Sequence, residues 1–158
     1  MNRNRDQTIG HGVLMIVVVL LGIISPAHSK QQRPSAWNGT LVIQANGFAH
    51  NNGLALAKLF LRDDDVPGGA AYRMVQENII DGNAVLVFED LPYATYALVV
   101  VHDENSNGKI DHNLISIPEE PLGFSNGFRI SIFSGVPDFN DLRFSFTAKD
   151  RLQKITVH

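Results

Sequence analysis

Short apolar runs separated by turn residues recur along most of the chain: TLVIQANG (40–47), LALAKLFLR (54–62), NAVLVFEDL (83–91), TYALVVVH (95–102), FRISIF (128–133), LRFSFTA (142–148) and LQKITVH (152–158). Runs of this length at this spacing predict an all-β protein, a β-sandwich of about seven strands. In LRFSFTA, Leu142, Phe144 and Phe146 fall on one face and Arg143, Ser145 and Thr147 on the other, the period of two that marks a half-buried strand. YALVVV (96–101) is instead apolar on both faces, as expected of a central strand covered on both sides. LALAKLFL is rich in Leu and Ala, which favour helix, but it lies between the turn signals HNNG and DDDVPGG and reads as a strand.

Between the runs, residues 63–72 predict an exposed loop: Asp63, Asp64 and Asp65 would repel one another if packed together, and Pro67, Gly68 and Gly69 break regular structure. Residues 111–127 form the longest stretch without a strand pattern, with Pro118 and Pro121 unable to donate to a ladder. Leu114, Ile115, Ile117, Leu122 and Phe124 make this stretch too apolar for disorder. It is expected to fold back over the sandwich.

The first residues do not fit the strand pattern. Arg3 and Arg5 precede an apolar run from Val13 to Ile24, and SPAHS follows with small residues. This is the layout of a secretory signal peptide, assigned to residues 1–29 with cleavage after Ala27 or Ser29. The competing reading is an uncleaved anchor, but the run falls short of the roughly 20 residues that a spanning helix needs. Residues 30–38 (KQQRPSAWN) read as a polar leader, and residues 39–158 as a single domain. The exported chain is then periplasmic or secreted, with no membrane span after cleavage.

The whole chain has 158 residues, 13 basic and 16 acidic side chains and no Cys. Without residues 1–29 the count becomes 11 basic and 15 acidic groups, a net charge of −4. A mildly acidic chain with no basic cluster excludes nucleic acid as the expected partner. A mature chain of about 129 residues buries enough apolar surface to hold together without disulfides.

The candidate chemistry lies in HDENSNGKIDHN (102–113), directly after the apolar run. Counted from Asp103, Asn105 and Asn107 occupy positions three and five, Gly108 position six, Lys109 position seven and Asp111 position nine. This is the first half of a D-x-[DN]-x-[DN]-G calcium loop. Calcium takes six to eight oxygens, the glycine allows the sharp bend, and position seven contributes only its backbone carbonyl, so the Lys109 side chain is no obstacle. Leu114 stands where an EF-hand has its bidentate Glu, and a strand rather than a helix precedes the loop. A distal carboxylate from Glu119 or Glu120 would have to complete the shell. The alternative is an Asx-type turn in which the Asn and Asp side chains satisfy their own backbone.

The segments FEDLPYATYALVVVHDENSNGKIDHN, IPEEPLGFSN and GVPDFNDLRFSF together resemble an uncharacterised bacterial family, domain of unknown function 2141. The resemblance extends over residues 39–158 and is most specific at its centre. His102, Asp103, Asn105, Asn107, Gly108, Asp111 and Asn113 match its first motif, and Pro118, Glu120, Gly123, Phe124, Ser125 and Asn126 its second. Pro137, Phe139 and Phe144 match a third, while Ala94, Ser116 and Leu142 depart from the family pattern. The resemblance implies an exported sandwich of immunoglobulin-like or transthyretin-like type and supplies no activity. It favours Glu120 over Glu119 as the distal ligand, so the expected calcium site is Asp103, Asn105, Asn107, Lys109, Asp111 and Glu120.

Other chemistries fit less well. His102, Asp103, His112 and Ser125 supply the side-chain types of a hydrolase, but GFSNG is not a G-x-S-x-G elbow. His102 and Asp103, as neighbours on an extended chain, point to opposite faces. Zinc held by His102, His112 and Asp111 lacks the usual histidine spacing. A sugar-binding platform would need Tyr72, Tyr93 and Phe124 exposed together. The sequence therefore predicts a binding or structural module with a calcium-stabilised loop and a protein or glycan partner at the cell envelope. The rival is a hydrolase using His102, Asp103 and Glu120.

Overall fold

The computed structural model describes residues 37–114, 118–131 and 134–158. The expected signal peptide and nearly all of the leader lie outside these residues. Among the described residues eight strands follow one another: β1 (Asn38–Asn46), β2 (Leu54–Phe60), β3 (Arg73–Asn78), β4 (Asn83–Pro92), β5 (Ala94–Asp103), β6 (Leu122–Phe124), β7 (Phe144–Phe146) and β8 (Leu152–Thr156). A 3-10 turn at Ser125–Gly127 and one turn of helix, α1 (Phe139–Leu142), stand between β6 and β7. Asp138 and Asp141 close a capping box on α1. Among the described residues, no helix is long and apolar enough to cross a membrane.

The strands form two sheets. One has the order β4-β1-β8, with β1 antiparallel to β4 and parallel to β8. The other has the order β3-β2-β5-β6, all antiparallel, and β7 pairs with the first residues of β5. Alternating residues of β1 and β4 (Leu41, Ile43, Leu86, Phe88) meet Ala57, Leu59, Leu98 and Val100 from β2 and β5, and this packing makes the chain an all-β sandwich.

β2 and β5 are buried on both faces. Leu56, Phe60, Ala97, Val99 and Val101 point away from the first sheet, into a second cluster with Ile110, Leu122, Phe124, Phe139 and Leu142. That cluster is why YALVVV is apolar throughout. The 111–127 stretch folds over this face through Leu122 and Phe124, whereas Leu114 is fully exposed and Ile115 and Ile117 lie outside the described residues. Lys58 also faces this side, buried, with its Nζ 3.5 Å from the carbonyls of Pro67 and Gly69. Burial pushes its ammonium below the ordinary lysine value.

The strand pattern needs three corrections. Residues 128–131 of FRISIF are not a strand, and 132–133 lie outside the described residues. The edge of β5 that this run would need is already taken by β6 and β7. Two strands had no clear sequence signal: β3, an edge strand that is mostly exposed, and β6, three residues long. Finally, Leu142 does not share a face with Phe144 and Phe146. It ends α1 and packs in the outer cluster, while the two phenylalanines enter the inner core.

Candidate functional site

The expected loop leaves the end of β5 where Asp103 pairs with Leu54 of β2. Alternation puts His102 on the inner face with Val100, and Asp103 on the outer face with Val99 and Val101. Both side chains are fully buried. The Asp103 carboxylate accepts from the backbone N–H of Asn107 at 3.0 Å and of Gly108 at 2.8 Å. Backbone N–H donors turned onto one carboxylate need a tight reversal of the chain, and Ser106 (φ 58°) and Gly108 (φ 74°) supply it. Nothing crowds a side chain at Gly108, so its backbone conformation is what calls for glycine.

The amides continue the pattern. Asn105 Oδ1 accepts from Asn107 N at 3.0 Å and Asn107 Oδ1 from Lys109 N at 2.8 Å, two Asx turns in succession. Asn105 Nδ2 donates to Asp111 at 2.6 Å, and Asn107 Nδ2 reaches both oxygens of the same carboxylate at 3.0 and 3.1 Å. Lys109 is exposed.

Glu120 reaches the loop because the chain doubles back. His112 forms an isolated bridge to Pro118, and Glu119 N donates to Asp111 O at 2.9 Å. His102 N then donates to Pro121 O, extending the β5 and β6 pairing by one step. Glu120, nearly buried, takes up the next positions with its side chain, accepting from Glu104 N and Asp111 N at 3.2 Å each. Glu119 is exposed and its backbone alone touches the loop. The six residues read from the sequence thus lie in one loop and the carboxylate beneath it.

The electrostatics are one-sided. Among the described residues, no Lys or Arg pairs with Asp103, Asp111 or Glu120. Burial pushes the Glu120 carboxyl above its ordinary value, and the charges of Asp103 and Asp111 push it the same way, against the two N–H donors. Between 4.5 and that raised value the folded chain keeps a proton that the unfolded chain has released. In a chelating buffer, stability should therefore fall as pH rises through this window and level off above it. Urea unfolding of wild type and Glu120→Gln at several pH values measures this directly: the stability difference should move in favour of Gln across the window, and a constant difference would contradict it.

The hydrolase constellation does not assemble. His102 faces away from Asp103 and Glu120, and both Glu120 oxygens are engaged by backbone donors. Ser125 is fully buried, with its Oγ bonded to Leu98 and to the carbonyl of Leu142. A shallow cleft of about 300 Å³ does lie beside the loop, lined by Pro118, Glu120, Phe124, Phe128, Arg129 and His158 among others. Tyr72 stacks against Tyr96, Tyr93 is half-buried and Phe124 is buried, so the three do not form an exposed platform.

An all-β sandwich with an oxygen-rich loop at the end of a central strand is the class that the fold and site define. The sequence matches the family described as "Uncharacterized protein conserved in bacteria (DUF2141)" over residues 43–154, and the chain belongs to that family. No curated protein and no solved structure matches it.

Proposed function

We propose that the protein is an exported binding or structural module, without catalytic activity, whose 103–111 loop is stabilised by calcium. The ligands would be the side chains of Asp103, Asn105, Asn107 and Asp111, the carbonyl of Lys109 and the carboxylate of Glu120. The observation that carries this reading is the convergence of three carboxylates at one short loop with no cationic side chain among the described residues to balance them. A divalent ion would supply that balance, and calcium suits an all-oxygen donor set. The Asn105 and Asn107 amide nitrogens now on Asp111 would turn aside and present their oxygens.

An ordered loop would then fix the wall of the adjacent cleft, where Phe128 and Arg129 offer an aromatic and cationic surface to a protein or glycan at the cell envelope. Export rests on the charged, apolar and small-residue layout of residues 1–29.

With few carboxylates in the shell, affinity should resemble that of extracellular calcium modules, on the order of 0.1–1 mM. At about 10 mM calcium, stabilisation of roughly 1.4–2.7 kcal/mol is expected, a rise in Tm of about 5–15 °C. Glu120→Gln should lose most of this rise and Glu119→Gln should keep it. Scanning and titration calorimetry check both. An absence of binding heat together with an unchanged Tm would overturn the proposal, and equal losses at the two glutamates would overturn the ligand assignment.

A further inference from the structure

A second cluster of metal-ligating side chains lies on the opposite face of the same strand end. Gly53 (φ 77°) lets the turn after β1 press against β5: a Cβ there would overlap Asp103 O and stand 2.6 Å from Glu104 Cα. This close approach sets His50 and Asn52 against His102. The His102 ring lies 2.8 Å from the Asn52 carbonyl through Nε2. A carbonyl can only accept, so in the neutral ring Nε2 carries the hydrogen and Nδ1 the lone pair. Phe48 packs edge-on against the same ring at 5.3 Å and helps to fix its orientation.

The Nδ1 lone pair has no hydrogen-bond partner, although the side chain is fully buried. It faces Glu104 Oε1 at 3.9 Å, and His50 Nε2 approaches the same oxygen at 3.3 Å. Two acceptors, Nδ1 and a carboxylate oxygen, cannot satisfy each other. A separation of 3.9 Å is also too long for a shared proton, but it is near the roughly 3.4 Å that separates two ligands of a tetrahedral ion with bonds of about 2.0–2.1 Å. All three ligand atoms lie within 4.8 Å of one another.

We propose that His50, His102 and Glu104 form a site for a divalent transition-metal ion of the zinc class, held by two imidazole nitrogens and one carboxylate oxygen. Imidazole donors suit such ions and not calcium, so the two faces of this strand end differ in the metal they select. His102 is the fixed ligand, its ring oriented from behind by the Asn52 carbonyl. His50 and Glu104 are partly exposed, at 42% and 47%, and close on the ion by small side-chain movements. That exposure leaves the fourth position open to water or to a partner's side chain. His112 and Asp111 are not in this group.

The test uses the untagged protein, freed of metal by chelation and held in saturating calcium so that the oxygen loop does not take up the added ion. Zinc is titrated in competition with a chromophoric chelator, and Co(II) is added separately to read coordination from its visible bands. One equivalent of zinc and a tetrahedral Co(II) spectrum are expected. His50→Ala and Glu104→Gln, both at partly exposed positions, should each weaken zinc binding by at least about tenfold, the loss that even an outer-shell change can produce. Glu119→Gln, an exposed carboxylate in neither ligand set, should leave zinc binding unchanged. No stoichiometric binding, or binding that persists unaltered in both His50→Ala and Glu104→Gln, overturns the proposal. Neither result bears on calcium, which is measured on the other face.

Discussion

Asp103→Ala is expected to lower stability by about 2–3 kcal/mol even without calcium, and to abolish the calcium-dependent rise in Tm. The buried carboxylate receives two backbone N–H donors from its own loop, and charge-assisted bonds of this kind contribute more than neutral ones. The loss is partial because Asn107 N keeps a second acceptor in Asn105 Oδ1 and the loop surface can be rehydrated. Removing Asp103 also relieves its repulsion of Glu120, which moderates the cost. Urea unfolding should show a midpoint lower by roughly 1–2 M. If the variant unfolds like wild type, the carboxylate does not organise the loop. A retained calcium shift would remove Asp103 from the ligand set.

The second large effect is expected away from the loop. β7 pairs with β5 at Ala94 to Tyr96 and β6 pairs at Val99 to Val101, which leaves a gap in the ladder at residues 97 and 98. Ser125 fills it: its Oγ accepts from Leu98 N at 3.1 Å and lies within reach of the carbonyls of Leu98 and Leu142. Next to it, Asn126 adopts a positive φ of 60° and donates through Nδ2 to the carbonyls of Asp141 and Arg143. The FSN motif therefore joins β6, α1 and β7 to one edge of β5. Ser125→Ala would leave the Leu98 N–H buried without an acceptor, and a loss of about 2–3 kcal/mol is expected. Hydrogen exchange reads the effect locally: the Leu98 amide should lose protection beyond the global change. Exchange at Leu98 as slow as in wild type would refute the assignment.

Most of the sandwich was legible because its strands alternate or are apolar throughout. β1, β4 and β8 show alternation, and the doubly buried β2 and β5 show continuous apolar runs. What decides β3, β6 and residues 128–131 is competition for strand edges, which no local pattern records. RMVQEN is a strand because β2 has a free edge for it, and residues 128–131 are not one because β5 has none. The oxygen loop was legible for the opposite reason: the spacing of its oxygen-bearing side chains and its turn geometry are both local, and only Glu120 comes from farther along the chain. The histidine cluster left no such trace. His50 and His102 belong to separate elements, and what brings them together is the close approach at Gly53.

Among the described residues β1 is the first strand and β8 the last, yet they lie side by side in parallel. Val157 N donates to Asn46 O and His158 N to Leu122 O, so the chain's final residues tie both sheets. A chain delivered in sequence order therefore keeps one edge of β1 unpaired until β8 arrives, and Ile155 and Val157 complete the inner core only then. Folding of this sandwich waits on β8, with slow, long-range closure as its kinetic signature.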